Sequence, residues 1–404
     1  MMVDPAGAGQ PRLFVENPLS ITTMPTRTET AQAAAAGLRA FAKSIKQTPV
    51  MIGFDGFVDS IIAVVDKRHD TQRYDAVHTL SDFGGRITAS AGRSSNVELV
   101  TKLEKLGGNG PIMANAMANA GFGVTYVGNL GEGTLHPVFN ELARIATVFS
   151  IAEPGYTDAL EFDDGKLMLG KHSSLRHVNQ QTIDQRIGRE QYVELIRRTK
   201  FLGMVNWTML TELNSIWEAL IEEVLPQMDN DRFIFIDLAD PSKRTSGDIA
   251  KAMELTKRLN AESKVVVGFN LSEATQVAKV LGVKVPEGDA AQKAAIEQIA
   301  LDLRAALDVH CVCVHPREGA AGVIKTDAGV KSALFKGPFV AKPKLSTGAG
   351  DNFNAGFCLG LLAGLPIDQC LCCGTGTSGF YVRNAKSPTL DELAAFCDDL
   401  PQPE

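Results

Sequence analysis

Short apolar runs recur along the chain at 50–54, 124–127, 201–205, 233–236, 265–267 and 309–314. Each is too short for a helix, so the pattern predicts buried strands. Between them, residues 190–199, 211–224 and 291–307 carry helical periodicity, and an alanine-rich stretch at about 30–46 predicts a helix before the first strand. Strands alternating with helices predict an α/β fold, a doubly wound and mostly parallel sheet flanked by helices. Residues 1–28 are rich in Pro, Gly and Thr without periodicity and read as a loose leader, which leaves 29–404 as one α/β core domain.

One segment breaks the alternation. Asp164-Gly165 stands between two apolar stretches, 159–162 and 166–169, a pattern that predicts an antiparallel hairpin with a type I′ turn. With the polar stretch 69–83 it suggests a small β lid, from about 64–83 and 156–172, over the carboxyl ends of the core strands, where such sheets bind ligands.

Composition narrows the partners. Hydrophobic residues at 45% and charged residues at 22% are ordinary globular usage. The net charge of −7 supplies no basic field for nucleic acid, and no apolar run reaches spanning length, so neither nucleic acid nor membrane is an expected partner. The first ten residues lack the pattern of a secretory signal, so a cytoplasmic protein is expected. All seven cysteines fall at or after Cys311 and read as reduced, buried small residues.

The chemistry concentrates in glycine-rich turns that open helices. In Ser346-Thr347-Gly348-Ala349-Gly350-Asp351, the turn runs into a helix whose Phe353, Phe357 and Leu361 mark one face. Free amides at such a helix start bind anions, and glycines allow close approach. Asp351 in the same turn is placed to accept the proton of an attacking hydroxyl. A helix cap explains an aspartate there equally well. A second turn, Gly107-Gly108-Asn109, precedes a helical stripe of Met113, Ala116, Met117 and Ala120. Asp55 and Asp59 follow the first strand, where carboxylates accept hydrogen bonds from ligand hydroxyls. Asp59 before Ser-Ile-Ile also reads as a helix cap. Asp237 and Asp240 follow another strand within reach of phosphate or magnesium, or in a solvated turn, and His315 reads as a structural hydrogen-bonding residue.

In order and position these motifs resemble the ribokinase-like (PfkB-type) carbohydrate kinase family, from about residue 50 to the C-terminus. The segment from Asn270 to Glu273 is similar to the family's Asn-x-x-Glu element, and 384–389 to its closing segment near the nucleotide. The resemblance implies ATP and Mg2+ as cofactors, with Asp351 as base and Gly348, Ala349 and Gly350 as anion hole. It also implies acceptor contacts from Asp55, Asp59, Gly108 and Asn109. Asn270, Glu273, Gly319 and Asn384 fall on the nucleotide side, with Glu273 reaching the metal through water. The acceptor implied is an alcohol group of a sugar, polyol or nucleoside. Two pocket carboxylates without a basic clamp favour a neutral one. Relatives often dimerise through their lids, so a homodimer is a further expectation. Two departures are visible: Leu345 stands where relatives carry an aspartate linked to monovalent-cation activation, and the loop after 314 begins His315-Pro316-Arg317 where a glycine is common.

Two other readings compete. The run from Gly374 to Gly379 satisfies G-x-G-x-x-G, the dinucleotide fingerprint of a dehydrogenase, but no clean strand precedes it and too little chain follows, so close helix packing is expected. A non-catalytic sugar or nucleoside sensor of the same fold is the other, since fold alone does not supply chemistry. A P-loop is absent from the sequence.

Overall fold

The computed structural model describes residues 25–404, so the expected leader lies outside the described residues except for its last four. The first helix, Arg27–Phe41, starts earlier than periodicity suggests because Thr26 and Glu29 form a capping box, each side chain bonding the other's backbone.

The larger sheet holds nine strands. Seven are parallel: β1 (Pro49–Phe54), β5 (Gly123–Gly128), β6 (Thr147–Ser150), β9 (Phe201–Met204), β10 (Phe233–Asp237), β11 (Lys264–Phe269) and β12 (Cys311–Val314). Two more, β13 (Gly319–Thr326) and β14 (Gly329–Lys336), extend one edge antiparallel. The order is β14-β13-β12-β11-β10-β9-β1-β5-β6, so the winding reverses between β9 and β1. Alternate residues feed two apolar layers: Ile234, Ile236, Val265 and Val267 pack on one face, Phe235 and Val266 on the other. A sheet buried on both faces needs apolar residues at both parities, which is why its strands read as unbroken runs.

The helix Ala349–Leu362 is buried over 351–361, on every side, and not on the single face that Phe353, Phe357 and Leu361 mark. It packs between the helices Asn109–Ala120 and Ile367–Asn384. A side chain at Gly356 or Gly360 would collide with Thr377 or Cys370, so these glycines set how closely the helices approach. The Gly374–Gly379 run lies inside the helix Ile367–Asn384, where Gly374 meets Phe353 and Gly376 meets Leu393 and Cys397. It is not the strand-to-helix turn that a dinucleotide fingerprint requires. All seven cysteines are free and buried.

A second, five-stranded sheet joins β2 (Phe57–Arg68), β3 (Tyr74–Ala76), β4 (Leu99–Gly107), β7 (Gly155–Phe162) and β8 (Gly165–Lys171). It carries its own small core, Ile62, Val64, Val77, Phe83 and Leu160, under the helix Leu80–Ala89. Residues 64–83 and 156–172 fall here, together with the start of β2 and all of β4. Asp59 therefore stands in a strand and caps no helix.

The hairpin turn differs from its expected form. Phe162 pairs with Gly165, so the central residues are Asp163 and Asp164, one position earlier, and neither has positive φ. The Asp163 amide donates to the His78 carbonyl, and the Asp164 carboxylate accepts from the Leu80 amide at 2.7 Å. Contact with 78–80 fixes this turn, not local glycine chemistry. The expected helix at 211–224 is Leu213–Ala219 continued by a wider turn, Leu220–Val224. The one at 291–307 divides at Ala295 into Asp289–Ala294 and Ile296–Leu307. Among the described residues no helix is long and apolar enough to cross a membrane.

Candidate active site

The site forms at the carboxyl ends of the parallel strands, beside the reversal of winding. Asp55 follows β1, and both its oxygens are occupied. The Gly110 amide donates to Oδ1 at 2.8 Å, and the Asn109 amide (3.0 Å) and Asn206 Nδ2 (2.7 Å) donate to Oδ2. Asn206 follows β9, so this bond ties the two strands at which the winding reverses. Gly108 makes the contact possible. It holds φ at 100°, and a Cβ there would press on the Asp55 carboxylate. Burial raises the Asp55 carboxyl to about 6, against the three hydrogen bonds that favour its charge.

Asp59 projects from β2 over Gly107. Its carboxyl is raised by partial burial, which Lys105 and the Thr157 hydroxyl oppose. It lines a groove of about 350 Å3 with Lys105, Ile112, Asn115, Leu345 and Thr347.

Asp351 lies in the first turn of its helix, only 7% exposed. Burial and then the charge of Asp237 push its carboxyl well above the ordinary range, while the bond from Asn109 Nδ2 to Oδ1 at 2.8 Å opposes the shift. Gly348 turns the chain with φ of 86° and opens the helix without a side-chain cap. The first-turn amides have no carbonyl one turn back within the helix. That of Ala349 is taken by the Ser346 carbonyl at 3.2 Å.

On the other side of this turn a cavity of about 410 Å3 is lined by Asn270, His315, Gly319, Ala349, Gly350 and Phe353, among others. Asn270 and Glu273 form a reciprocal capping box on the helix Leu271–Val280. Asn270 Nδ2 donates to Glu273 Oε1 at 2.6 Å, and the Glu273 amide donates to Asn270 Oδ1 at 2.9 Å. Burial and then Asp237 raise the Glu273 carboxyl well above its usual range. Asp237, also raised by burial, accepts from Asn354 Nδ2 and the Ala239 amide, both at 2.6 Å. The side-chain oxygen of Asn354, Oδ1, is buried without a partner.

Buried carboxylates that raise one another's pKa, beside an unpartnered oxygen, fit a divalent cation. Among the described residues no three His, Cys, Asp or Glu side chains could hold an ion together.

The predicted residues thus divide. Asp351, Asn109, Asp55 and Gly108 form one bonded cluster, Asp59 faces the groove, and Asn270, Gly319, Ala349 and Gly350 line the cavity. Asn384 joins neither. It ends the helix Ile367–Asn384 exposed, with its amide on the Phe380 carbonyl. Sequence reasoning missed the cavity's other walls. His315 stacks on Phe353 with ring centroids 4.3 Å apart, and burial lowers its pKa to about 4, so the ring is neutral. Pro338, Phe339, Thr375 and Ser378 also line it. The available signal was the 375, 378, 379 and 382 spacing within one helix, which places Thr375, Ser378, Gly379 and Val382 on a shared face.

Comparison with known proteins bears on the family and the fold. The family model described as prokaryotic ketohexokinase matches residues 26–400. The chain is 30% identical to the ketohexokinase of Haloferax volcanii, covering 86% of this chain and 90% of that one. Among solved structures, Arabidopsis thaliana ribokinase complexed with ribose and ATP aligns at TM-score 0.58 and 15% identity, over 87% of this chain and 98% of that one. A carbohydrate kinase from Agrobacterium tumefaciens aligns at 0.59 and 15%, over 88% and 98%. These neighbours share the ribokinase fold. Matched over nearly all its described length, the chain belongs to the prokaryotic ketohexokinase family and is a carbohydrate kinase.

Proposed function

We propose that the protein transfers the γ-phosphate of ATP to an alcohol group of a ketohexose. The observation that carries this reading is the position of Asp351. It is a buried carboxylate of raised basicity in a helix-opening turn whose Ala349 and Gly350 face the larger cavity and whose Thr347 faces the groove of Asp59. Nucleotide fills the cavity, its adenine side near His315 and Phe353, and the sugar lies in the groove under the smaller sheet. The turn between them is where phosphate changes hands.

Asp351 accepts the proton of the attacking hydroxyl. A carboxylate held above its ordinary pKa binds that proton more strongly, and Asn109 keeps Oδ1 fixed while Oδ2 faces the sugar. The amides of Gly348, Gly350 and Asp351 stabilise charge on the phosphoryl oxygens at the helix start. Asp59 accepts hydrogen bonds from sugar hydroxyls, and Asp55 holds the Gly108–Asn109 turn against them. Asn270 and Glu273, with Asp237 behind them, would hold magnesium through water, and the ion would neutralise phosphate charge. The smaller sheet acts as a lid that keeps water from competing as nucleophile. The Haloferax relative is named a ketohexokinase and aligns over 90% of its length at 30% identity, which favours a ketohexose over the wider set of sugars, polyols and nucleosides.

A coupled assay with Mg-ATP and a panel of ketohexoses, aldoses, polyols and nucleosides tests this. Asp351→Asn is expected to lower turnover at least about 10²-fold, the contribution typical of a general base, with sugar and nucleotide affinity kept. An unchanged rate removes Asp351 from the base role.

A further inference from the structure

The turn 348–351 is held from behind by a set of contacts that the catalytic reading leaves unused. Loop 343–347, which leads into it, is tied to the helix Ile367–Asn384. The amides of Lys344 and Leu345 both donate to the Val382 carbonyl, at 2.8 and 3.4 Å. One residue earlier on that helix, the Tyr381 hydroxyl donates to the Thr347 carbonyl at 2.8 Å. A Cβ built on Gly348 would sit 3.1 Å from the same hydroxyl oxygen, so the phenol lies directly against the turn.

The carbonyl that Tyr381 holds belongs to the same rigid peptide unit as the Gly348 N–H. Fixing one end of that plane fixes where the other end points. Gly348 itself resists little, because glycine crosses between left-handed and right-handed backbone at small cost. The next peptide unit has its own anchor: Asn352 Nδ2 donates to the Gly348 carbonyl at 2.9 Å, and the Ser387 hydroxyl holds Asn352 Oδ1 at 2.8 Å. Consecutive peptide planes at the phosphate turn are therefore each held by a side chain from outside it. Burial and then the negative charge of Asp351 raise the Tyr381 phenol to about 12, so its hydroxyl keeps its proton and remains a donor throughout neutral pH.

We propose that Tyr381 is a positioning residue for phosphoryl transfer: its hydroxyl locks the Thr347–Gly348 peptide plane so that the Gly348 N–H stays aimed at the transferring phosphate. This rests on the anion-hole reading of the turn. Tyr381 lines the groove, next in the chain to the cavity residue Val382, and acts through the backbone it holds.

Tyr381→Phe removes the one oxygen and keeps the ring. Turnover is expected to fall about tenfold, with the KM for ketohexose and for ATP unchanged within about twofold and Tm unchanged within about two degrees, as losing one hydrogen bond to an oriented amide predicts. Inhibition by ADP with aluminium fluoride, a planar mimic of the phosphoryl group in flight, is expected to weaken by a similar factor while ADP alone binds as before. Turnover within twofold of the parent overturns the proposal, as does a loss of turnover matched by an equal change in KM or by a fall in Tm. The fluoride measurement does not involve proton transfer, so failure of Asp351 as base and failure of Tyr381 as positioning residue give different results.

Discussion

Asp55 and Asp59 lie four residues apart and carry the same charge, and their surroundings give them different work. Three donors converge on Asp55, all from parts of the chain that must stay in register: the Asn109 and Gly110 amides and the Asn206 side chain. Removing the acceptor leaves buried donors unsatisfied at about 1–3 kcal/mol each, partly relieved by water. Asp55→Ala is therefore expected to lower stability by about 3 kcal/mol, read as a shift of the urea midpoint at constant slope. Asp59 has free valence toward the groove. Asp59→Asn is expected to raise the KM for sugar about tenfold while the urea midpoint stays within experimental error of the parent, the reverse pattern. The sequence placed both residues past the first strand but could not separate them. What distinguishes them is the number of donors brought in from residues 109–110 and 206, far away along the chain. The same holds for the pair Asn270 and Glu273, where the capping box is local and readable but the neighbouring Asp237 is supplied by another strand.

At the scale of elements, the helix Ala349–Leu362 carries the turn, and its placement depends on two close glycine contacts. Gly356 faces the Cys373 carbonyl and Thr377, with no room for a methyl group. Gly356→Val is expected to cost about 1–3 kcal/mol through overpacking and to reduce turnover as the turn shifts with its helix; urea denaturation and the coupled assay check the two effects together. Gly348 and Gly350 announced the turn in sequence, and the apolar runs announced the large sheet, because a strand buried on both faces needs no partner information to look apolar. The second sheet was less legible. Its strand β2 continues for twelve residues through Asp59 and Ser60, two side chains that suggest a cap when seen alone, although the β-branched run Ile61-Ile62 and Val64-Val65 favours a strand. Strand β4 mixes Leu99, Leu103 and Leu106 with Lys102, Glu104 and Lys105, and its leucines are largely exposed, so no core face shows in its pattern. Pairing with β2 makes it a strand, and such pairing is invisible without the register.

At the scale of the whole molecule, strand β12 joins two environments: His310 precedes it at the amino edge of the sheet and His315 follows it at the site. His310 sits beside Phe233, with burial and then the positive charges of Lys264, Arg304 and Lys325 lowering its pKa to about 4. The unfolded chain protonates this ring near 6.5, so between about 6.5 and 4 the unfolded state binds more protons. Stability from a neutral His310 is thus complete above about pH 6.5 and lost as pH falls through that window. The raised carboxyl of Asp55, at about 6, acts in the opposite sense: its contribution is present below the ordinary carboxylate range and is lost as pH rises through about 6. The two partly cancel in the parent protein, so its acid limb alone says little about either. His310→Phe separates them, because the ring lies far from the site, at the opposite edge of the sheet, and a phenyl group keeps the packing on Phe233. The variant-minus-parent difference in stability is expected to be flat above pH 7 and to become more favourable to the variant by about 1–2 kcal/mol at pH 4.5, a value reduced from the full shift because the ring keeps some contact with water. Urea midpoints of both proteins at several pH values measure it. A difference that stays constant from pH 7.5 to 4.5 means that His310 is protonated alike in the folded and unfolded chains, and that neither its burial nor the cationic cluster of Lys264, Arg304 and Lys325 keeps it neutral.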